Sequence, residues 1–154
     1  MNRLHPRIQI VWVLRAVALA AALGAVGAAG HVFFGLPRWV ALAAAGLALL
    51  VGVPLALARY RRWGYEIRED ALYLERGVIT EVRTVVPFVR IQHVDSRRNP
   101  IERSVGLAST VVYTAGSRGA DVRIPGLTRS GAGELRERLK RLAIVTGGEE
   151  ADAV

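Results

Sequence analysis

The sequence predicts a membrane protein in which a two-helix transmembrane hairpin precedes an antiparallel β-barrel that is capped by a C-terminal α-helix. Three observations predict this fold class. Two long apolar segments occupy the first sixty residues, apolar and polar residues then alternate from Trp63 onward, and a helical amphipathic pattern comes last. The predicted organisation is a tail and hairpin in residues 1–62, a β domain in residues 63–146 and a disordered acidic tail in residues 147–154.

The first predicted span covers about residues 10–34. Arg15 interrupts it, but a long arginine stem lets the guanidinium reach the headgroups from one turn inside a helix. A signal peptide is the alternative, because Arg3 and Arg7 precede an Ala-rich apolar run. The run exceeds the usual apolar region of about 7–15 residues, and a second span follows closely, which favours a transmembrane helix.

The second predicted span, residues 39–58, contains no charged residue and is bracketed by arginines. About 20 helical residues cross a hydrocarbon core of about 30 Å. Within lipid a segment must pair its own backbone groups, so we expect a helix, with a kink at Pro54. Because residues 35–38 alone separate the two spans, they should form an antiparallel hairpin.

Small residues recur at every fourth position in both spans. Such stripes allow close helix packing, either within the hairpin or in a homo-oligomer, although Ala-rich and Gly-rich segments also produce them by chance. The stripes are Ala20, Gly24 and Ala28 in the first span, and Ala44, Ala48 and Gly52 in the second. Neither span contains Asp, Glu or Lys, which disfavours an ion pathway or a proton-coupled transporter.

The positive charge of the chain, formally +8, flanks the predicted membrane segments. Residues 1–63 carry seven arginines and no acidic residue, whereas residues 64–128 carry nine arginines and eight acidic residues. The positive-inside rule predicts a multi-pass protein of the plasma (inner) membrane with both termini and the β domain in the cytoplasm. A nearly neutral β domain disfavours nucleic acid as a partner. Four aromatic residues at the span ends are expected interface anchors: Trp12, Trp39, Tyr60 and Trp63.

The β region contains six predicted strands and one short helical turn. The strands lie at residues 65–67, 72–75, 82–86, 89–97, 109–114 and 122–124. A helical turn is predicted at residues 101–105, a hairpin turn at residues 116–119, and Pro125 is predicted to end the last strand.

The last predicted element is a helix over about residues 130–142. Thr128 or Ser130 can cap it, and Leu135, Leu139 and Leu142 form one apolar face. Such a helix needs an apolar surface to cover. An antiparallel sheet of six or seven strands, closed or half closed, provides one.

Several motifs of this region occur together in one known family. They are Trp-Gly-Tyr-Glu-Ile at 63–67, Leu-Tyr-Leu at 72–74, Gly-Val-Ile at 77–79, Val-Pro-Phe-Val-Arg-Ile-Gln-His-Val at 86–94, Arg103 with Gly-Leu at 106–107, and Thr-Ala-Gly at 114–116. With two preceding spans, this arrangement resembles the bacterial PH-like, membrane-flanked domain family, the YdbS-like proteins. The resemblance implies a PH-like fold, a strongly bent antiparallel barrel capped by a C-terminal helix. It implies no catalytic residues and a largely undefined molecular role.

The residue types themselves disfavour an enzyme. The chain has no cysteine, so disulfides, thiolate metal sites and cysteine nucleophiles are excluded. His5, His31 and His93 lie in separate segments, which disfavours a shared metal. The acidic pair at residues 69–70 is expected in a solvated turn, and no serine has a nucleophile-elbow context. We therefore predict no catalytic, metal-binding or cofactor-binding residue.

Eight polar residues are candidates for contacts with a partner or with lipid. They are Arg59, Arg61 and Arg62 beside the second span, and Arg90, Gln92, Arg97, Arg98 and Arg103 in the β domain. Guanidinium groups pair well with phosphates and carboxylates, although a solvated strand edge and the topology signal explain the same residues. The leading hypothesis is a membrane-anchored module that scaffolds or binds another membrane protein or a copy of itself. The alternative is a sensor of anionic lipid headgroups.

Overall fold

The computed structural model describes residues 1–116 and 121–152, with the backbone alone for residues 149–152. The chain divides into two compact units. One unit is the helical segment Gln9–Arg61, and the other combines Met1–Ile8 with Arg62–Val154. The first eight residues thus belong to the β domain, whereas the sequence assigned all of residues 1–62 to the tail and hairpin.

Two long helices, α1 (Ile8–Phe34) and α2 (Arg38–Arg62), form the hairpin. Their best windows have mean hydropathies of 2.1 and 2.4, so both are long and apolar enough to cross a membrane. The predicted spans lie inside these helices. The connection turns at Gly35, whose φ of 68° suits glycine.

The small residues of the two helices pack against each other. A Cβ atom added at Gly27 would lie 2.6 Å from the Cα atom of Ala41, and one added at Gly24 would lie 3.4 Å from the Cβ atom of Ala45. Backbones that approach this closely exclude larger side chains. At these positions, packing within the hairpin accounts for the small residues.

The β domain contains two antiparallel sheets. The first has the strand order β1 (Asn2–Arg3), β2 (Gly64–Ile67), β3 (Ala71–Arg76), β4 (Val82–Pro87), and the second has the order β5 (Ile91–Arg97), β6 (Leu107–Thr114), β7 (Val122–Thr128). No ladder joins the two sheets within the described residues, so the predicted barrel is open rather than closed. The predicted order of spans, antiparallel strands and C-terminal helix is confirmed.

Strand β1 was missed by the sequence analysis. Asn2 pairs with Tyr65, and Arg3 pairs with Gly64. A two-residue strand carries no alternation that a sequence pattern could reveal.

The residues after β1 fasten the tail to the domain. Leu4 and Ile8 are 2% and 1% exposed, and the amide of His5 donates to the carbonyl of Gly126 at 2.7 Å. Gly126 has a φ of 65°, and a Cβ atom there would lie 2.8 Å from the Cβ atom of Ile8. The chain is therefore held by the β domain up to the first residue of α1.

Two strand boundaries differ from the predictions. Residues 89 and 90, expected to begin a strand, belong to the 3-10 turn Phe88–Arg90, which places Phe88 in the core at 0% exposure. Strand β7 continues past Pro125, which was expected to end it. The register shifts between Ala108 and Thr110, so Pro125 sits at an irregularity where the ladder needs no amide donor. Residues 117–119, three of the four residues of the predicted hairpin turn, lie outside the described residues.

Two helices complete the domain: α3 (Pro100–Ser104) and α4 (Arg129–Asp152). The amide of Gly131 donates to the hydroxyl of Thr128 at 3.0 Å, which caps α4 as predicted. Ala132, Leu135 and Leu139 are buried and cover the core.

Helix α4 continues to Asp152, so the disorder predicted for the tail 147–154 is not found at residues 147–152, and residues 153–154 lie outside the described residues. Gly147 and Gly148 do not adopt the positive φ of a helix-ending glycine. They lower helix propensity by about 1 kcal/mol each without supplying a stop.

Candidate functional site

The eight candidate contact residues have different environments rather than forming one site. In the hairpin unit, the guanidinium of Arg59 lies 4.7 Å from the ring centre of Trp12, a cation–π geometry. Arg61 and Arg62 are exposed at the end of α2. These three arginines lie directly after the apolar part of α2, where the sequence placed them.

The expected aromatic anchors divide into two groups. Trp39 is 67% exposed and Tyr60 is half-buried. Trp12 and Trp63 are 7% and 3% exposed. Trp12 and Trp63 are thus more buried than Trp39 and Tyr60, and the role of interface anchor stays a prediction for all four residues.

Arg90 and Gln92 line two different cavities. Arg90 is exposed in the 3-10 turn and borders a cavity of about 260 Å³ between the ends of β4 and β6. Its carbonyl accepts a hydrogen bond from the amide of Ala115 at 2.8 Å. Gln92 borders a second cavity, described below.

Arg97 belongs to a stacked group on the second sheet. Its guanidinium lies 5.6 Å from the ring centre of Tyr113, donates to the Tyr113 hydroxyl, and lies 3.7 Å from a carboxylate oxygen of Asp95. The Tyr113 ring also stacks on His93, with ring centres 4.1 Å apart and an interplanar angle of 16°. Cross-strand contacts of this kind stabilise a sheet surface.

Arg98 and Arg103 lie on either side of the start of α3. The Nε atom of Arg98 donates to the carbonyl of Leu107 at 3.1 Å, so this side chain ties the connection to β6. Arg103 is exposed, and its amide donates to the carbonyl of Asn99 at 2.9 Å. Arg103 is thus directed to the surface, whereas Arg98 is half-buried.

An ion pair that the sequence analysis missed anchors α3. Glu102 is 2% exposed, and its carboxylate accepts from the amide of Asn99 at 3.1 Å and from Arg123 at 3.0 Å. Arg123 also donates to the hydroxyl of Ser109 at 3.1 Å. The spacing of Asn99 and Glu102 is a capping-box signature, which could have predicted the start of this helix. Its pairing with Arg123 depends on the tertiary fold.

A groove between β5 and α4 is the second cavity and has a volume of about 270 Å³. We call it the β5–α4 groove, and its lining residues are Ile91, Gln92, His93, Val94, Lys140, Ala143 and Ile144. Strand β5 is an edge strand of its sheet in the described part of the chain. On α4, Ile144 and Val145 are 64% and 58% exposed. The groove therefore lies where an open strand edge is next to an exposed apolar part of α4.

Within the described residues, no three side chains of the His, Cys, Asp and Glu types are grouped so that they could hold a metal ion. The surface of the β domain has exposed arginines, an open strand edge and exposed apolar side chains. Such features are typical of a surface that binds a protein or a lipid.

Comparisons with known proteins agree with this architecture. The bacterial PH domain family matches residues 11–143. A curated relative, the UPF0699 transmembrane protein YdbS of Bacillus subtilis (strain 168), is 29% identical over 152 residues, covering 94% of each chain. No solved structure matches the chain significantly. The resemblance inferred from the motifs is confirmed, and this membrane protein belongs to the bacterial PH domain family.

Proposed function

We propose that this protein is a non-catalytic interaction module, anchored at the cytoplasmic face of the plasma membrane, that binds another membrane protein. The observation that carries the proposal is the β5–α4 groove. An edge strand presents unpaired backbone N–H and C=O groups, to which an extended segment of a partner can add as a further strand. Ile144 and Ile91 supply apolar contacts beside that edge.

The cytoplasmic location is part of the proposal. It is supported by the seven arginines and the lack of acidic residues in residues 1–63. Because Met1–Ile8 and Arg62–Val154 share one unit, both ends of the hairpin should lead to the same side of the membrane, so the arginines at both ends count towards the same side. A reporter fused after Val154 should be active inside the cell, and activity only outside would contradict this location.

Site-specific crosslinking in living cells tests the groove. We expect Gln92→p-benzoylphenylalanine, in the full-length protein, to give a crosslinked product whose mass identifies the partner. The control is Arg68→p-benzoylphenylalanine, because Arg68 is exposed in the turn after β2 and does not line the groove. A crosslink to a second copy identifies self-association, and equal products from both positions, or none from Gln92, contradict the proposed groove.

Recognition of anionic lipid headgroups by the arginines is the second candidate function. The observation that favours it is the exposure of Arg61 and Arg62 directly after the apolar part of α2. Each such arginine contributes about 1 kcal/mol near an anionic leaflet. The Arg61→Gln, Arg62→Gln double variant should co-purify with less phosphatidylglycerol than the parent protein, measured by lipid mass spectrometry, and an unchanged amount would contradict this function.

A further inference from the structure

We propose that one end of the β domain lies on the anionic headgroup layer of the bilayer, with Ile79 and Ile101 inserted into it. The inference rests on the membrane attachment in the proposed function and goes further by naming the contact surface. It uses none of the residues that line the β5–α4 groove. The partner is the lipid surface itself.

The direction of the strands identifies the end of the domain at which the chain connects to the hairpin. The chain leaves the domain for α1 at Ile8 and re-enters it at Arg62, two residues before β2. Gly64, at the start of β2, pairs with Glu75 near the end of β3. The turn between β3 and β4, residues 77–81, therefore extends from the end of the sheet at which the chain re-enters.

The second sheet places α3 at the same end of the domain. Ile8 lies against Gly126, close to the end of β7. Arg7, which precedes Ile8 in the sequence, lies beside Gly106. A Cβ atom added at Gly106 would lie 3.4 Å from the Nη1 atom of Arg7. Gly106 directly follows α3 and directly precedes β6. We call this end of the domain, with residues 77–81 and α3, the membrane-proximal end.

Two exposed isoleucines occur at the membrane-proximal end. Ile79 is 92% exposed, the highest value among the large apolar side chains that the structure describes. Ile101 is 38% exposed on α3, whereas Glu102 of the same helix is 2% exposed. A helix that faces water normally exposes its acidic residue and buries its isoleucine. In α3 the arrangement is reversed, with the isoleucine exposed and the acidic residue buried. This arrangement suits contact with a bilayer, whose interior is apolar and whose anionic headgroups are negatively charged.

Charge supports the same orientation. Five exposed arginines lie at or beside the membrane-proximal end: Arg7, Arg62, Arg76, Arg103 and Arg129. Two acidic residues of this end are paired with arginine, Glu81 with Arg83 at 2.8 Å and Glu102 with Arg123 at 3.0 Å. The turn between β2 and β3, at the opposite end, exposes Glu69 and Asp70 instead. That end also exposes Arg68 and Arg90, so it carries charges of both signs. The membrane-proximal end is therefore attracted to anionic phospholipid more strongly than the opposite end.

The lack of cysteine in the chain permits a direct test. The full-length protein, with an environment-sensitive fluorophore on Ile79→Cys or Ile101→Cys, is placed in nanodiscs that contain phosphatidylglycerol and spin-labelled lipid. The matched control is Val89→Cys, because Val89 is 42% exposed in the 3-10 turn at the opposite end. We expect several-fold stronger quenching at residues 79 and 101 than at residue 89, and weaker quenching at 79 and 101 in neutral phosphatidylcholine nanodiscs.

Each other outcome counts against the proposal. Equal quenching at all three positions, or none at residues 79 and 101, shows that this end does not contact lipid. Equal quenching in neutral and anionic nanodiscs overturns the role of the arginines. Because the groove is tested separately by crosslinking from residue 92, failure of the lipid surface is distinguishable from failure of the proposed function.

Discussion

Glu102 and Tyr65 are side chains of the β domain whose chemistry is shaped by burial. Glu102 is held by charged and backbone donors, whereas Tyr65 lies in β2 near Arg138. Burial raises the pKa of Tyr65 above its ordinary value of 10.0, and the positive charge of Arg138 partly opposes this change. Tyr65 therefore couples the stability of the domain to ionisation.

Tyr65 predicts a loss of stability at alkaline pH. The unfolded chain releases the phenol proton near pH 10.0, before the folded chain does, so stability is complete below that pH and falls as the pH rises through the folded pKa. Tyr65→Phe should reduce this alkaline loss. The measurement is the melting temperature of both proteins in detergent as a function of pH, followed by Trp63 fluorescence in a Trp12→Phe, Trp39→Phe background. We expect a smaller decrease above pH 10.0 in Tyr65→Phe, and the values at pH 7 are the control. An identical alkaline decline in both would contradict the assignment.

The Glu102–Arg123 pair predicts an asymmetric response to mutation. The side chain of Glu102 is 2% exposed and that of Arg123 is 48% exposed. Arg123→Met leaves a buried carboxylate without its cation and should lower the free energy of unfolding by about 2–3 kcal/mol. Glu102→Gln should cost less, because a glutamine oxygen still accepts from the amide of Asn99 and water can solvate Arg123. Melting followed by Trp63 fluorescence compares the two variants. A loss of stability in Glu102→Gln that equals or exceeds the loss in Arg123→Met would contradict the predicted asymmetry.

At the scale of the element, the hairpin is defined by how closely its helices approach. Gly27 faces the backbone of Ala41, whereas a Cβ atom on Gly46 would meet nothing within 4 Å. These two glycines have the same chemistry and opposite surroundings. They therefore form a matched pair of sites for testing the packing of α1 on α2.

Gly27→Leu should separate the two helices, and Gly46→Leu should not. The readout is a disulfide between Gly24→Cys and Ala45→Cys, whose Cβ atoms would lie 3.4 Å apart, close to the range of about 3.5–4.5 Å found in disulfides. We expect the yield of the disulfide to fall several-fold with Gly27→Leu and to stay unchanged with Gly46→Leu. A similar yield in all three proteins would show that Gly27 does not control the packing.

Elements with a regular period could be predicted from the sequence, and elements fixed by distant contacts could not. The uninterrupted apolar run before Arg59 and the spacing of Leu135 and Leu139 are local signals, and both helices were found. Pro125 is locally a strand breaker, but a bulge opposite Ser109 accommodates it. Among the candidate contacts, the sequence located Arg103 at the surface. It could not show that Arg98 donates to Leu107.

At the scale of the whole molecule, the hairpin is an insertion between two parts of one β domain. Strand β1 precedes α1 and pairs with β2, which follows α2. The pairing has a sequence separation of about sixty residues, with no local pattern to announce it. For this reason a fragment that starts at residue 64 lacks one strand of the first sheet and three buried side chains of the β domain, those of Leu4, Ile8 and Trp63.

The tail should consequently stabilise a domain that begins more than fifty residues later in the sequence. Leu4→Ala removes a side chain that is 2% exposed and should lower the free energy of unfolding by about 2–4 kcal/mol. Asn2→Ala is the control, because Asn2 is exposed and contributes its backbone to β1. The measurement is hydrogen exchange of the β2 amides in the full-length protein, because β1 pairs with β2. We expect Leu4→Ala to speed this exchange and Asn2→Ala to leave it unchanged. If Leu4→Ala and Asn2→Ala exchange at the parent rate, the tail is not part of the folded domain.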